Sequence, residues 1–265
     1  MHINSISCGQ GAPSLFLIVL AGGGYFPVDI VIVADTGWET DMLWSNGKRT
    51  DAKGFFNQVT QPLAEIYGFP AVFVRSIRKD KTPYPALPVM QIPGKEDIPM
   101  FGSKGGRLSQ FCTSKWKKQA IRQELRRRGA DTATSFLGLT MSEVERIRPN
   151  DVQWEKLNWP LIGFPTQPNW DKRFYREEIN KELEKRHIPY LVTSQCDGCP
   201  HKNYFRWSNN TPEKIAELAE FESQWNGEQF LTSIRKPLLE ALQEMKKKQQ
   251  HDEPNDFCEN GLCFQ

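Results

Sequence analysis

Two of the chain's six cysteines stand in Cys196-Asp197-Gly198-Cys199-Pro200, with His201 next. Two thiolates at this spacing, around a tight Gly turn, can grip one metal ion or part of an iron–sulfur cluster. A second Cys-x-x-Cys, which a self-contained zinc ribbon would need, is missing, so Cys112 is the natural third ligand if the fold brings it in. The plain alternative is a structural or redox pair. Cys8 follows the first strand candidate and reads as a small packed residue. Cys258 and Cys263 flank Asn260-Gly261 in a polar tail, QHDEPNDFCENGLCFQ. An Asn-Gly turn brings flanking chain together, so these thiols can close a disulfide, one attacking and one resolving. Their acidic neighbours Glu253, Asp256 and Glu259 disfavour a thiolate unless the tail docks on a basic surface; otherwise both cysteines are incidental.

A second group of residues suits phosphate. Residues 3–7 read as a short strand, then comes the turn Ser7-Cys8-Gly9-Gln10-Gly11-Ala12-Pro13-Ser14, then an apolar helix over about 15–21. Strand, Gly-rich turn and helix put backbone N–H groups and a helix N-terminus around an anion. Pro13 fits the first helical turn, where its missing N–H costs little. Residues 28–34 (VDIVIVA) read as a buried parallel strand ending in Asp35-Thr36-Gly37. Ligands of open α/β sheets sit beyond the carboxyl ends of the strands, which makes both turns candidate binding loops. Each could equally be an ordinary βα turn with a helix cap.

The elements that must hold these residues follow in order. Residues 38–44 and 55–67 carry helical patterns around a polar turn, and 71–75 form a third strand candidate. Residues 76–106 hold five prolines and four glycines and read as a long loop or flap, ending in the basic Lys104-Gly-Gly-Arg107. A basic helix follows Cys112-Thr113 and is closed by Gly129; its charges are either a solvated face or contacts to phosphate or nucleic acid. Residues 134–139 form a fourth strand candidate, leading to a short helix with Arg146 and Arg148. Helices are expected over 173–186 and 212–249, and no internal repeat is present.

Length and composition bound the class. A chain of 265 residues can bury a large core. A net charge of +2 makes no blanket electrostatic case for nucleic acid. No apolar run is long enough to span a membrane, and no signal-like segment opens the chain. A cytoplasmic protein without a membrane partner is expected, in a reducing compartment where cysteines point to metal or redox chemistry.

Jointly these motifs resemble the phosphoadenosine-phosphosulfate (PAPS) reductase family of the PP-loop, or adenine-nucleotide α-hydrolase-like, superfamily. The residues concerned are Ser7-x-Gly9-x-Gly11-x-x-Ser14, ADTGWE, Cys112-Thr113-x-x-x-Lys117, Gly138 with Arg146, Trp159-Pro160-Leu161 and Cys196-x-x-Cys199-Pro200, spanning residues 3 to about 207. The resemblance implies a Rossmann-like α/β fold with a parallel sheet flanked by helices and a mostly helical C-terminal part. It implies ATP or an adenylyl nucleotide at Ser7, Gly9, Gly11, Ser14, Asp35, Thr36 and Gly37. It also implies sulfur chemistry: nucleic-acid thiolation or phosphorothioation, or reduction of an activated sulfate. The superfamily loop usually reads Ser-Gly-Gly-x-Asp-Ser, and Pro13 here replaces its aspartate. Cluster-bearing reductases carry an adjacent Cys-Cys pair, whereas Phe111 precedes Cys112 here, leaving three thiolates. Three-thiolate clusters occur in PP-loop tRNA thiolation enzymes. Reductases of this family also carry a nucleophilic cysteine in a C-terminal Glu-Cys-Gly segment, of which the tail resembles a two-cysteine variation.

The expected organisation is a nucleotide-binding α/β domain (1–165), a helical part with the Cys-x-x-Cys (166–250) and a flexible tail (251–265). The expected function is iron–sulfur-dependent sulfur transfer, with a 4Fe–4S cluster on Cys112, Cys196 and Cys199. Lys115, Lys117, Arg122, Arg146 and Arg148 would neutralise phosphate. Lys117, Arg146, Cys258 and Cys263 are the expected catalytic residues. Expected partners are an adenine nucleotide, DNA or tRNA, and a cysteine desulfurase or other modification-complex subunits. The alternatives are a sulfonucleotide reductase using a tail cysteine and a non-catalytic binding subunit.

Overall fold

The computed structural model of the protein describes residues 1–88, 98–108, 111–163 and 173–249. The first apolar run forms β1 (His2–Ser7), followed by helix α1 (Ala12–Gly22) and strand β2 (Ile30–Ala34). Residues 38–44 are extended rather than helical: β3 (Met42–Leu43) pairs antiparallel with β4 (Arg49–Thr50). Met42 and Trp44 are buried on either side of the half-buried Leu43, a period of two rather than 3.6. Asp51 then caps α2 (Ala52–Phe55) by accepting from Gly54 N–H. A π-helical stretch (Phe56–Thr60) and α3 (Gln61–Ile66) continue directly from it, as the helical pattern predicts.

Strand β5 (Ala71–Val74) comes next, then the two-residue β6 (Phe101–Gly102). The basic helix begins as a π-helical turn (Thr113–Lys118), runs on as α4 (Gln119–Arg127) and stops at Gly129, whose φ is +85°. Strand β7 (Thr132–Leu137), a 3-10 turn (Met141–Arg146) and β8 (Glu155–Asn158) follow. Helices α5 (Arg176–Lys185), α6 (Tyr204–Ser208) and α7 (Pro212–Ser223), strand β9 (Gln229–Phe230) and helix α8 (Leu238–Gln249) complete the described chain. The helix expected over 212–249 is thus broken. Asn226 and Gly227 both take positive φ, 49° and 78°, which ends α7 and turns the chain into β9 against β6.

Among the described residues the central sheet has five strands in the order β5-β2-β1-β7-β8, all parallel. The expected α/β class, a parallel sheet flanked by helices, is therefore what the chain forms. Helix α1 is buried along all of Ala12–Ala21, held between the sheet and the buried Ile179 and Leu183 of α5. Burying one such Leu or Ile is worth roughly 1.5–3 kcal/mol, so this helix needs no polar face. A second cluster joins Trp38, Trp116, Cys196, Trp207, Leu218 and Leu238, tying the Cys-x-x-Cys region to the strand-end loops.

Candidate functional site: a three-thiol pocket at the sheet's switch point

The chain runs from β1 to β2 and β5 on one side, then returns to lay β7 and β8 on the other. The carboxyl ends of β1 and β7 therefore diverge at a topological switch point, where open α/β sheets bind ligands. Their turns are packed tightly together there. A Cβ on Gly138 would lie 2.7 Å from Ser14 N and 2.8 Å from Pro13 C, so only glycine lets β7 end against the start of α1. Within the loop, Ser14 donates from N and Oγ to Gly11 O at 3.1 and 3.0 Å. Gln10 takes φ 62° and is anchored by Nε2 to Ala52 O at 3.0 Å and by Oε1 from Thr60 Oγ1 at 3.1 Å.

A pocket opens at this point. Ser7, Gly9, Gly11, Ser14, Thr36, Cys112, Lys117, Arg146, Cys196 and Cys199 all line it. Asp35 and Gly37 do not line it. The Asp35 carboxylate is held by Arg75, with Nε at 2.9 Å, and accepts from Gly37 N–H at 2.7 Å. Gly37 has φ +73°, and a Cβ there would sit 2.7 Å from Ala86 Cα, so it serves the turn's shape. Cys258 and Cys263 lie outside the described residues.

The Cys-x-x-Cys turn is fastened to the end of β2. Asp197 N–H donates to Trp38 O at 2.7 Å, and Thr40 donates to the Asp197 carboxylate from N at 3.1 Å and Oγ1 at 2.6 Å. Lys202 Nζ and Asn210 Nδ2 both donate to Asp197 O, at 2.7 and 3.1 Å. Thr36 Oγ1 lies 3.4 Å from Cys196 Sγ, and Glu39 Oε1 lies 3.8 Å from it.

Lys117 pairs with Glu39 at 3.5 Å. Burial works against its charge, but Glu39 holds it protonated, and the thiols of Cys196, Cys199 and Cys112 add to this only once they ionise. Burial, reinforced by Glu39, pushes the Cys196 thiol up to about 12 despite Lys117 and Thr36, and burial pushes Cys8 up to about 11. Both sulfurs are therefore neutral thiols at pH 7 while no metal is bound.

Further cations line the pocket. Thr140 and Glu143 form a capping box on the 3-10 turn, and Glu143 is shared by Arg146 and, at 3.5 Å, Arg176. Arg146, Arg176, Arg206 and His201 line the pocket. Burial, with the charges of Arg107 and Arg146, lowers His201 to about 4, so its imidazole is neutral at pH 7.

Several expected phosphate ligands point elsewhere. Arg122 is bound by Glu155 at 2.8 Å, Asn150 at 2.8 Å and Asp151, bracing α4 against β8. Arg148 donates to Glu145 O and Ile147 O at 2.6 and 2.8 Å, and Lys115 Nζ sits 4.9 Å from the Phe111 ring. None of the three lines the pocket. Conversely, Glu39, Arg176 and Arg206 escaped the sequence reading. Glu39 ends the ADTGWE motif and carried a readable signal; Arg176 and Arg206 are single cations in unremarkable helices.

Among the described residues, no three His, Cys, Asp or Glu side chains form a group that could hold one metal ion. Among the described residues, no helix is long and apolar enough to cross a membrane.

No protein-family model matches the chain, and no curated protein matches it at a significant level. Among solved structures it is similar to the U34-tRNA thiolase NcsA from Methanococcus maripaludis, determined with its 4Fe–4S cluster. The two share 11% identity over 96% of this chain and 73% of that one, with a TM-score of 0.41. A likeness that distant assigns no role to any residue here.

Proposed function

We propose that the chain is an adenine-nucleotide-binding sulfur-transfer enzyme of the PP-loop, PAPS reductase-like kind, acting on a nucleic acid. One observation carries this reading: thiols from two distant segments, Cys112 and Cys196/Cys199, face the same switch-point pocket as the Gly-rich loop. An iron–sulfur cluster held by these three cysteines would supply a place to hold a sulfur atom before transfer.

The chain's own residues prepare that pocket. Loading requires the thiols to lose their protons, and the Lys117 ammonium offsets the negative charge left on the sulfurs. Thr36 Oγ1, 3.4 Å from Cys196 Sγ, can donate to that thiolate and fix its direction. Gly9 and Gly11 leave the loop backbone open to phosphate, while Arg146, Arg206 and the neutral His201 line the same pocket and can meet the anion. Pro13 offers no carboxylate for a magnesium ion, so this loop binds and orients the nucleotide without that acid.

The test is purification without oxygen, followed by iron, sulfide and zinc analysis, visible spectroscopy and ATP binding. Stoichiometric iron with broad visible absorption, bleached by Cys196→Ser, is expected. Stoichiometric zinc without iron overturns the cluster, and absent ATP binding overturns the nucleotide site. Release of pyrophosphate from ATP excludes a purely binding subunit. A sulfonucleotide reductase would instead release sulfite from an activated sulfate and lose that turnover, with nucleotide binding intact, when residues 252–265 are deleted.

A further inference from the structure

Large apolar side chains next to the pocket's lining are left exposed. Phe111, Val144, Tyr175 and Phe205 are 42%, 43%, 51% and 45% exposed. Each is the chain neighbour of a residue that lines the pocket: Cys112, Glu143, Arg176 and Arg206 respectively. One backbone step is ~3.8 Å, so each of these exposed residues starts within one step of the lining. They come from four separate segments, and three of them are aromatic. Isolated exposed apolar residues need no explanation, but four that each adjoin the lining of one pocket do, two of them beside the Glu143–Arg176 pair.

The charges around these residues narrow the occupant. Lys115 Nζ lies over the Phe111 ring, and Arg206 sits beside Phe205. The nearby carboxylates are mostly engaged: Glu143 by Arg146 and Arg176, and Glu178 by the Tyr175 N–H at 2.8 Å. Glu145 and Glu177 remain as exposed acids. Ser103-Lys104-Gly105-Gly106 is exposed too, and Arg107 after it acts on His201, which lines the pocket. Exposed aromatic faces interleaved with cations match a strand of unpaired bases on a phosphate backbone, where stacking is tolerant of sequence. A duplex hides its base faces and would leave those rings idle.

We propose that this exposed set is a platform for single-stranded nucleic acid, on which Phe111, Tyr175 and Phe205 stack bases and guide one unpaired nucleotide into the pocket. The proposal rests on the sulfur-transfer reading and deepens it: the acceptor is unpaired rather than duplex.

The experiment is fluorescence anisotropy with the full chain purified without oxygen. The probes are labelled oligonucleotides of ~16 nucleotides, the upper site size for one single-strand module, as RNA, as DNA and as the matching duplex. At least one single strand should bind about tenfold more tightly than the duplex, and the preference between RNA and DNA identifies the source. Phe111→Ala and Phe205→Ala should each weaken single-strand binding about 5- to 150-fold, the equivalent of one lost base stack, with melting temperature and ATP binding unchanged. Phe205→Trp, which keeps an aromatic face, should retain affinity. Duplex binding as tight as single-strand binding, or unchanged affinity in both alanine variants, overturns the proposal. If iron and ATP are bound but single strands are not preferred, the platform fails and sulfur transfer stands. If single strands are preferred but neither iron nor ATP is bound, the platform stands and sulfur transfer fails.

Discussion

Gly198 lies directly against the Trp38 indole. A Cβ on Gly198 would sit 2.6 Å from Trp38 Cη2 and 2.7 Å from Leu218 Cδ2. The glycine between the two site cysteines is therefore needed for packing. Trp38 is buried among Phe221 and the second core cluster, so it has little room to yield. Gly198→Ala should destabilise the protein by about 1–3 kcal/mol, the usual cost of overpacking, and lower its metal content by displacing the thiols. Thermal melts and metal analysis check this; an unchanged melt with full metal content would show that Trp38 moves aside.

Gly138 makes the corresponding prediction for the nucleotide loop. Its missing Cβ faces backbone atoms of Pro13 and Ser14, which cannot swing away as a side chain can. Gly138→Ala should push the start of α1 out of place and weaken ATP binding at least ~10-fold, or ~1.4 kcal/mol. At Gly9 the nearest atom to an added Cβ is Ser194 Oγ, 3.9 Å away, so Gly9→Ala should fold normally. Titration calorimetry on both variants checks this; equal ATP affinity in Gly138→Ala and the unmodified chain would rule out the loop's shape as the determinant. Gly11 is intermediate, since its Cβ would meet Ser194 Oγ at 3.0 Å, a contact made only by the fold.

What the sequence made legible were features of local origin. The apolar runs of β1 and β2, the glycine turn and the Cys-x-x-Cys each carry their signal within a few residues. Bringing Cys112 to Cys196 and Cys199 was readable from donor chemistry and a family resemblance, not from the intervening chain. Strand β8 was missed because Glu155–Asn158 is a polar edge strand. Its Glu155 is buried by hydrogen bonding to Ser135 at 2.7 Å and pairing with Arg122, partners 20 and 33 residues away. The same long-range pairing removed Arg122 from the expected phosphate ligands. A charge run announces cations, but only tertiary structure says which carboxylates consume them.

The imidazole of His201 gives a pH signature. Burial, then Arg107 and Arg146, hold it at about 4, below the ordinary 6.5. In the metal-free protein the unfolded chain therefore binds more protons between those values. The stability contribution is present above pH 6.5 and is lost as pH falls toward 4. His201→Gln should flatten that part of the stability profile. Phosphate or nucleotide in the pocket would screen the two arginines and move the His201 midpoint upward, which NMR titration of the ring can follow. A midpoint near 6.5 without ligand would contradict the crowded cationic wall.

Lys117 and Glu39 give the sharpest separation of structural from chemical roles. Their side chains are 24% and 11% exposed and 3.5 Å apart. Burial raises the Glu39 pKa and Lys117 opposes it, with Asp197 and Asp35 adding to the rise. Lys117→Met leaves a buried carboxylate without its cation and should cost about 3–5 kcal/mol. Adding Glu39→Gln removes that orphaned charge and should recover much of the loss, which denaturant melts of both variants will show. Strictly additive losses would mean that the pair does not interact. Metal content should behave differently. The ammonium also faces Cys112, Cys196 and Cys199, which must become thiolates when metal loads. The double variant should therefore regain stability while remaining poor in iron, because no cation is left to offset the sulfurs. If iron returns along with stability, Lys117 serves only to hold Glu39 in the fold.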